Sequence, residues 1–586
     1  MKKISCIVLL LFSLLESNIA AAQAPPPWRW VKRGGSMDLQ SQDAVIDKAT
    51  DRYGNVYILA DNRRGLVNID GHHSIGSNDK ISLASWDCSG NFRWMKNYGG
   101  GGFATYLKGL SLGTDSIGNV YVSGQISITM LTDTIYFDSD TLLTNATSQR
   151  FFVIKYNTTG NMKWLDVPIT TQSQSGVKLF EMEIAPSGHI YHLAQLAPGT
   201  YHNNSYSIQS SGYYVVQYDP NGLFQTVTKL DVQTSKALGG YPGNYFSFVR
   251  DHRNGRYYLS GSYNATTLGT NFMIGSTQIV TSDSFNYWPM YVAGFNAAGN
   301  SLWVKQGNSN ITGWATLAPP DSKGNIYIGG LSHTGNSFIG HNITNGWGWS
   351  SVNYIIAADS NGNTIWGTNA WLLPTCTYPS NYYDITCTKD TVAFVATNNG
   401  QLKWGGLGLT ITTQSAQGFL ARFNATNGSI LTLDSISSNE LSEPTAVVMD
   451  DNANVFTSGL FRTSIKVGNH SAAVTDTILY ACDWFVVKYG RNDTCKEEIR
   501  TTVNKSVREI PLVLFPNPAH DVIYFDNVGE SYSVEIFSLT GVRMLQTTIS
   551  AAQMKVNITQ LRAGIYIIQL TNSKGKQHYT RFVKQE

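Results

Sequence analysis

The groups in this 586-residue chain that could do chemistry are scattered acids, a few histidines and many aromatic rings. Asp359-Ser360-Asn361-Gly362-Asn363 sets oxygen donors at alternate positions, as the first half of a calcium loop does. It lacks the glycine at the sixth position and the downstream glutamate, and its turn recurs along the chain. Calcium is therefore the one metal candidate, and no cofactor is expected. His72-His73 and the pair His189/His192 are candidates for metal ligation or acid–base work, without a carboxylate partner nearby in sequence. Paired carboxylates for glycoside hydrolysis must stand only about 5–10 Å apart in space, so separate segments could supply them. No H-E-x-x-H, G-x-S-x-G or P-loop pattern occurs. The glycine run Gly99–Gly102 is not followed by a helical pattern, so it is a backbone crossing and not a phosphate cradle.

Fourteen Trp and 31 Tyr are the remaining candidates, since flat rings stack on sugars. Four of the Trp (Trp94, Trp164, Trp303 and Trp366) recur at a fixed place in a repeat and should pack internally. Trp288, Trp314, Trp347, Trp349 and Trp371 fall off that pattern. Gly346-Trp347-Gly348-Trp349 puts two rings on an expected loop, where exposed aromatics serve recognition, so Trp347 and Trp349 are the candidate ligand-binding residues. With 42 basic and 40 acidic residues and no basic stripe, nucleic acid is not an expected partner.

The elements that must position these groups come from a repeat. D-x-x-G-N-V-Y-V-S-G phrases start at Asp51, Asp115, Asp321 and Asp450, with looser copies at Ala185, His252 and Thr388. Their aromatic position falls at Tyr57, Tyr121, Tyr191, Tyr258, Tyr327, Phe394 and Phe456, about 66 residues apart. A second phrase runs in step: an apolar stretch, Asp or Asn, then Gly, as in LASWDCSG at 83–90 and IIAADSNG at 355–362. Asp and Asn start turns by bonding nearby N–H groups, and Gly accepts positive φ. The β-branched and aromatic residues between the turns suit strands. Four short antiparallel strands, seven times over, predict an all-β fold: a seven-bladed β-propeller. The seventh unit lacks its last strand, and Trp28-Arg29-Trp30-Val31-Lys32, which matches Phe92-Arg93-Trp94-Met95-Lys96, supplies it from the other end of the chain. The N-terminal strand is thus expected to close the propeller and remove an open edge. This phrasing resembles the SBBP family of bacterial β-propeller repeats over residues 28–490, a family defined by architecture and not by one activity.

Residues 1–22 have the form of a signal peptide: Lys2 and Lys3, an apolar run from Ile7 to Leu15, then Ala20-Ala21-Ala22. That run is too short to span a bilayer, which takes about 20 residues, so no transmembrane helix is expected in the mature chain. Five cysteines then remain, and Cys376–Cys387 and Cys482–Cys495 are the expected local disulfides, zinc being disfavoured without a C-x₂-C spacing. The domain plan is a signal peptide at 1–22, the propeller at 23–490, a charged linker at 491–511 and a small Ig-like β-sandwich at 512–586. Pro516-Asn517-Pro518-Ala519, a turn at Gly541, Leu561-x-x-Gly564-Ile-Tyr566 and a basic end near Lys584 resemble the type A C-terminal sorting domain of the Bacteroidota type IX secretion system. The resemblance implies handling by that machinery, passage through the periplasm, and a secreted or outer-surface address. The expected function is non-catalytic binding there, to polysaccharide or to a surface protein. A glycan-degrading enzyme with acids drawn from several blades, or a structural surface scaffold, is the alternative.

Overall fold

The computed structural model describes residues 28–585 apart from 37–42, 63–65, 75–78, 101–105, 128–133, 138–139, 144–149, 168–177, 203–204, 235–245, 264–271, 281–286, 345–350, 373–381, 412–414, 475–481, 492–494, 496–513, 526–530, 539–541, 551–552 and 573–576. The expected signal peptide and most of the expected linker lie outside the described residues. The chain divides into two compact units, Met1–Glu498 and Ile499–Glu586. Every regular element among the described residues is a β-strand.

The first unit is built from successive antiparallel runs of four strands. The first sheet holds Ala44–Thr50, Val56–Asp61, Asp79–Trp86 and Phe92–Gly100, and the second Tyr106–Thr114, Val120–Ser127, Arg150–Tyr156 and Met162–Asp166. The third holds Lys178–Ile184, Ile190–Leu196, Gly212–Tyr218 and Phe224–Lys229, and the fourth Phe246–Arg250, Tyr257–Ser262, Met290–Phe295 and Ser301–Gln306. Gly313–Ala318, Ile326–His333, Ser351–Ala358 and Thr364–Asn369 form the fifth; Tyr383–Cys387, Thr391–Asn398, Gln417–Asn424 and Ile430–Ser438 form the sixth. In the last run Ser442–Met449, Val455–Phe461 and Asp483–Tyr489 are joined by Trp28–Ser36 from the other end of the chain, with Val31 opposite Val487 and Gly34 opposite Trp484.

The repeat phrase is explained by its turns. Asp51 accepts N–H bonds from Tyr53 (2.9 Å) and Asn55 (3.1 Å) on one oxygen, and the Asn55 amide (2.8 Å) and Tyr57 hydroxyl (2.7 Å) on the other. Asp115 holds Asn119 and Tyr121 in the same way, and Asp321 holds Asn325 and Tyr327. Each carboxylate is thus filled by its own turn and strand. In the last copy Ala453 stands where five of the other turns carry Gly and takes a φ of 59°, a conformation that costs a residue with a Cβ about 1–2 kcal/mol.

The fixed tryptophans tie one sheet to the next. Trp94 Nε1 donates to Thr158 O (3.0 Å), Trp164 to Pro220 O (3.2 Å), Trp303 to Ser360 O (3.0 Å) and Trp366 to Ala425 O (2.9 Å), each acceptor lying on a turn of the following sheet. Trp30 does the same to Cys88 O (3.4 Å), from the last sheet to the first. The ring covers the turn glycine so closely that a Cβ on Gly160 would lie 2.7 Å from Trp94, and one on Gly90 2.9 Å from Trp30. The apolar cores also lie between consecutive sheets. Leu193, Phe248 and Tyr291 share one core between the third and fourth sheets, and Trp30, Ile58, Trp86, Phe456 and Trp484 share one between the last and the first.

The seam differs from expectation in its cysteines. Cys495 is bonded to Cys88, 407 residues away, while Cys387 and Cys482 are free thiols. The local pairs Cys376–Cys387 and Cys482–Cys495 are therefore not formed; Cys376 itself lies outside the described residues. Cys482 precedes the strand Asp483–Tyr489 and Cys495 follows it, so about 23 Å of extended chain separates them at roughly 3.3 Å per residue. The chain leaving that strand instead meets the Cys88 turn, whose carbonyl also accepts Lys488 Nζ at 2.9 Å.

Two outcomes follow for the mature protein. Ala453→Gly should stabilise it by about 1 kcal/mol in urea unfolding; an unchanged midpoint would mean that this turn carries no strain. Cys88→Ser, or reduction, should destabilise it by up to about 5 kcal/mol, the upper end of the range for disulfides, read as a lower midpoint in the same assay.

Candidate functional site

The second unit presents the sorting motif as a clamp on the final strand. It holds a four-stranded sheet containing Tyr532–Ser538, Arg543–Ile549, Gly564–Asn572 and Gln577–Lys584, and a smaller sheet of Leu514–Phe515, Val522–Phe525 and Lys555–Asn557. Pro516, Asn517 and Pro518 are exposed and the Asn517–Pro518 peptide is cis. Asn517 Oδ1 accepts Val583 N at 2.9 Å and its amide reaches Arg581 O at 3.3 Å. Ala519 is fully buried, donates to Val583 O and accepts from Gln585 N, both at 2.8 Å. Lys584, opposite Ala519 in a parallel bridge, is 6% exposed. Tyr566 is buried, stacks on Phe582 at 5.6 Å and donates to Arg562 O at 2.9 Å. Gly564 opens the strand that pairs with the final one, Gly564 opposite Lys584. Five of the motif positions, Asn517, Ala519, Gly564, Tyr566 and Lys584, therefore converge on the last strand, with Pro516 and Pro518 flanking the Asn517 that grips it. Gly541 lies outside the described residues.

In the first unit the binding candidates Trp347 and Trp349 lie outside the described residues. Thr344, just before their segment, accepts a bond from Asn369 Nδ2 at 2.8 Å, and two residues on Trp371 is 52% exposed. Trp288 and Trp314 are half-buried. The calcium candidate Asp359 binds its own turn, accepting Asn361 N (2.8 Å), Asn363 N (2.9 Å) and Asn363 Nδ2 (3.0 Å). These bonds hold its carboxyl below the ordinary range against its slight burial. Its oxygens already carry the donors of the turn. His72 and His73 are exposed, with His72 stacked on Phe92 at 3.8 Å. His189 bonds Ser187 Oγ at 2.8 Å on a turn, whereas His192 is buried in the next strand, so the two do not form a pair.

Acids from distant segments do gather, on the first strands of the sheets. Asp47 Oδ2 accepts Leu112 N at 2.7 Å from the second sheet; Glu181 accepts Phe248 N at 2.6 Å from the fourth; Asp384 accepts Val447 N at 2.8 Å from the last. Lys48 Nζ lies 2.6 Å from Asp384 and 3.9 Å from Asp47. Each acid stands ten residues before the repeat aromatic of its copy, Tyr57, Tyr191 and Phe394, and bulges at Val45/Asp47 and Leu179/Met182 turn Asp47 and Glu181 out of the regular pleat. Burial raises the carboxyl of Asp47, partly offset by Lys48. Burial likewise raises Glu181 to about 8; the Phe248 N–H opposes this, while Asp47 and Glu183 add to it. Burial pulls Lys48 down, but Asp384 and Asp47 prevail and hold its ammonium above the ordinary value.

An acid whose folded pKa exceeds its unfolded one costs stability as pH rises, because the unfolded chain then holds fewer protons. For Glu181 that window runs from its ordinary 4.5 to about 8. Glu181→Gln should therefore gain on the native protein in thermal midpoint between pH 5 and pH 8, with the gap level above that. A gap that does not grow with pH would show Glu181 to be ionised throughout.

No curated protein matches the chain. Solved structures align at low similarity. A Bacteroides caccae protein of unknown function aligns at 12% identity over 58% of this chain and 94% of its own, with a TM-score of 0.26. A quinohemoprotein alcohol dehydrogenase from Pseudomonas putida HK5 aligns at 9% identity over 84% and 78%, with a TM-score of 0.33. Dimeric latent PorU from Porphyromonas gingivalis aligns at 12% identity over 82% and 34%, with a TM-score of 0.10. Residues 513–585 match the secretion system C-terminal sorting domain, the tail of type IX export, which makes this an exported protein of the outer cell surface or the medium.

Proposed function

We propose that the first unit is a closed seven-bladed, SBBP-like propeller that works outside the cell as a non-catalytic binding protein, with polysaccharide as its ligand. Closure is supported by the bonds that join successive sheets and return to the start. Thr114 Oγ1 donates to Thr50 O (2.7 Å), Ser111 Oγ to Met182 O (3.3 Å), Ser260 Oγ to Ala315 O (2.8 Å) and Thr50 Oγ1 to Met449 O (3.2 Å). In this reading Trp28–Ser36 completes the seventh blade and removes the edge it would otherwise leave.

The observation that carries the non-catalytic reading is the engagement of the gathered acids. Asp47, Glu181 and Asp384 each hold a backbone N–H of the following sheet, so removing a proton or attacking a sugar would break a tie between blades. A glycosidase pair instead needs one acid free to give its proton and another facing the sugar. For recognition, the exposed Trp371 stands beside the chain that leads into Trp347 and Trp349, and such rings stack on sugar faces. The sorting tail, gripped by Asn517 and Ala519 around the final strand, delivers the propeller to the surface and is the part handled by the type IX machinery.

One experiment separates the readings. The mature secreted protein is incubated with insoluble polysaccharides while pulled-down protein and released reducing ends are both measured. Binding without sugar release is expected, weakened about tenfold by Trp371→Ala or by the Trp347→Ala/Trp349→Ala pair, in line with the 1–2 kcal/mol a stacked ring contributes. Sugar release would support the enzyme; no binding would move the ligand to a surface protein. Deletion of residues 512–586 should leave the protein in the periplasm, and normal export of that variant would remove the role assigned to the tail.

A further inference from the structure

The repeat provides an internal standard against which each copy can be compared. At the third residue of the V-Y-V-S-G strand five copies place Ile58, Val122, Leu259, Ile328 and Val395, all facing a core between sheets, and the seventh places the buried Thr457. The third copy has His192 there, 2% exposed, with no hydrogen-bond partner for Nε2. Two residues after the fixed Trp, three copies place Lys32, Lys96 and Lys305; after Trp366 stands Thr368, and after Trp164 Asp166. His192 and Asp166 line the same cavity between the second and third sheets.

That cavity has a volume of about 30 Å³, room for one or two hydroxyl-sized groups. Its walls are Phe151, Trp164, Tyr206 and Tyr218, with Asp166 and the two histidines His192 and His202 as its polar points. Two short strands, Gly199–Tyr201 and Tyr206–Ile208, cap it, and Tyr206 stacks on Phe224 at 4.5 Å. His202, held at a φ of 51°, brings Nδ1 to 3.5 Å from Asp166 Oδ2, too far for a hydrogen bond. The other nitrogen of His192 is engaged by the backbone of Phe180, in the bulge between Leu179 and Met182. Burial pulls the His192 imidazole down to about 4, so it is neutral at ordinary pH and Nε2 is an acceptor. An unpartnered buried acceptor costs about 1–3 kcal/mol, at a position where five other copies use an aliphatic residue without that cost.

We propose that this cavity is a binding site for a small neutral polyol, which inserts one hydroxymethyl arm to donate a hydrogen bond to His192 Nε2. Asp166 and His202 line the same cavity as further polar partners for the hydroxyls, and the aromatic walls cover the carbon chain. A cationic ligand fits less well, because burial also pushes both the Asp166 carboxyl and the His202 imidazole towards their neutral forms. The site is independent of the Trp371 end of the molecule, so polysaccharide binding there can fail while this site holds.

The test is saturation-transfer NMR on the mature protein with glycerol and methyl β-D-glucopyranoside as probes and benzene as the apolar control. Millimolar binding of at least one polyol is expected, weakened about tenfold in His192→Val. That variant restores the aliphatic residue type of five other copies and should fold with an equal or higher thermal midpoint. Asp166→Asn keeps the shape and serves as a second, milder variant, expected to weaken the same probe by a smaller factor. Absence of polyol binding at about 50 mM would overturn the proposal and leave the cavity as a water site. Equal binding by His192→Val, or benzene bound as tightly as the polyol, would overturn it as well.

Discussion

A four-stranded sheet has two faces to cover, and in this chain the cover comes from the sheets before and after it. The contact that sets their spacing is a tryptophan on the fourth strand, whose ring lies flat on the turn glycine of the next sheet and whose Nε1 bonds a carbonyl of that turn. A side chain on the glycine would meet the ring at under 3 Å at Gly160 and Gly90, so ring and turn are matched in shape. The acidic turn fixes the second contact. Asp51, Asp115 and Asp321 each accept a hydrogen bond from a buried tyrosine hydroxyl, and the tyrosine ring packs beside a tryptophan, as Tyr57 does with Trp94 at 5.7 Å. Geometry of this kind propagates from one copy to the next, which is why the period is held at about 66 residues while loops beyond the strands vary in length.

The last sheet is where this scheme meets the ends of the chain. Trp28–Ser36 brings its own tryptophan to the Cys88 turn, Lys488 bonds the same carbonyl, and Cys495 is covalently joined to that residue. Three separate segments thus converge on one turn of the first sheet. A disulfide at this place adds little to any single sheet. It restricts the unfolded chain over nearly the whole first unit, and it does so in the oxidising surroundings that an exported protein meets.

Deviation from the repeat marks the places where the chain does something other than stack. Asp47, Glu181 and Asp384 share one repeat position, ten residues before Tyr57, Tyr191 and Phe394, where the other copies carry Ser111, Phe248, Leu317 and Ala446, and each bonds an N–H of the following sheet. Each carboxyl thereby ties its sheet to the next. His192 and Asp166 deviate in another sense, since they put polar groups on a cavity at places where five other copies carry an aliphatic residue and three carry lysine, and His192 Nε2 has no hydrogen-bond partner there.

Strands, turns and the export address were legible in the order of residues, because each rests on local chemistry. Asp bonds the N–H groups two and four residues on, glycine takes the positive φ, and the sorting motif keeps a fixed order of residues. The kinship of Trp28–Lys32 with Phe92–Lys96 also announced the pairing of the chain ends, since a strand carries its neighbours' requirements in its own pattern. Which cysteines meet emerges only on folding, because Cys88 and Cys495 are 407 residues apart and adjacent only once the first and last sheets touch. The same holds for Asp359, whose oxygens are seen to carry the donors of its own turn only when its partners are visible in space. Folding likewise brings Asp47, Lys48 and Asp384 into one group, and His192, Asp166 and His202 around one cavity. Side-chain direction on a bulged strand depends on where the extra residue falls, and no period in the sequence records that.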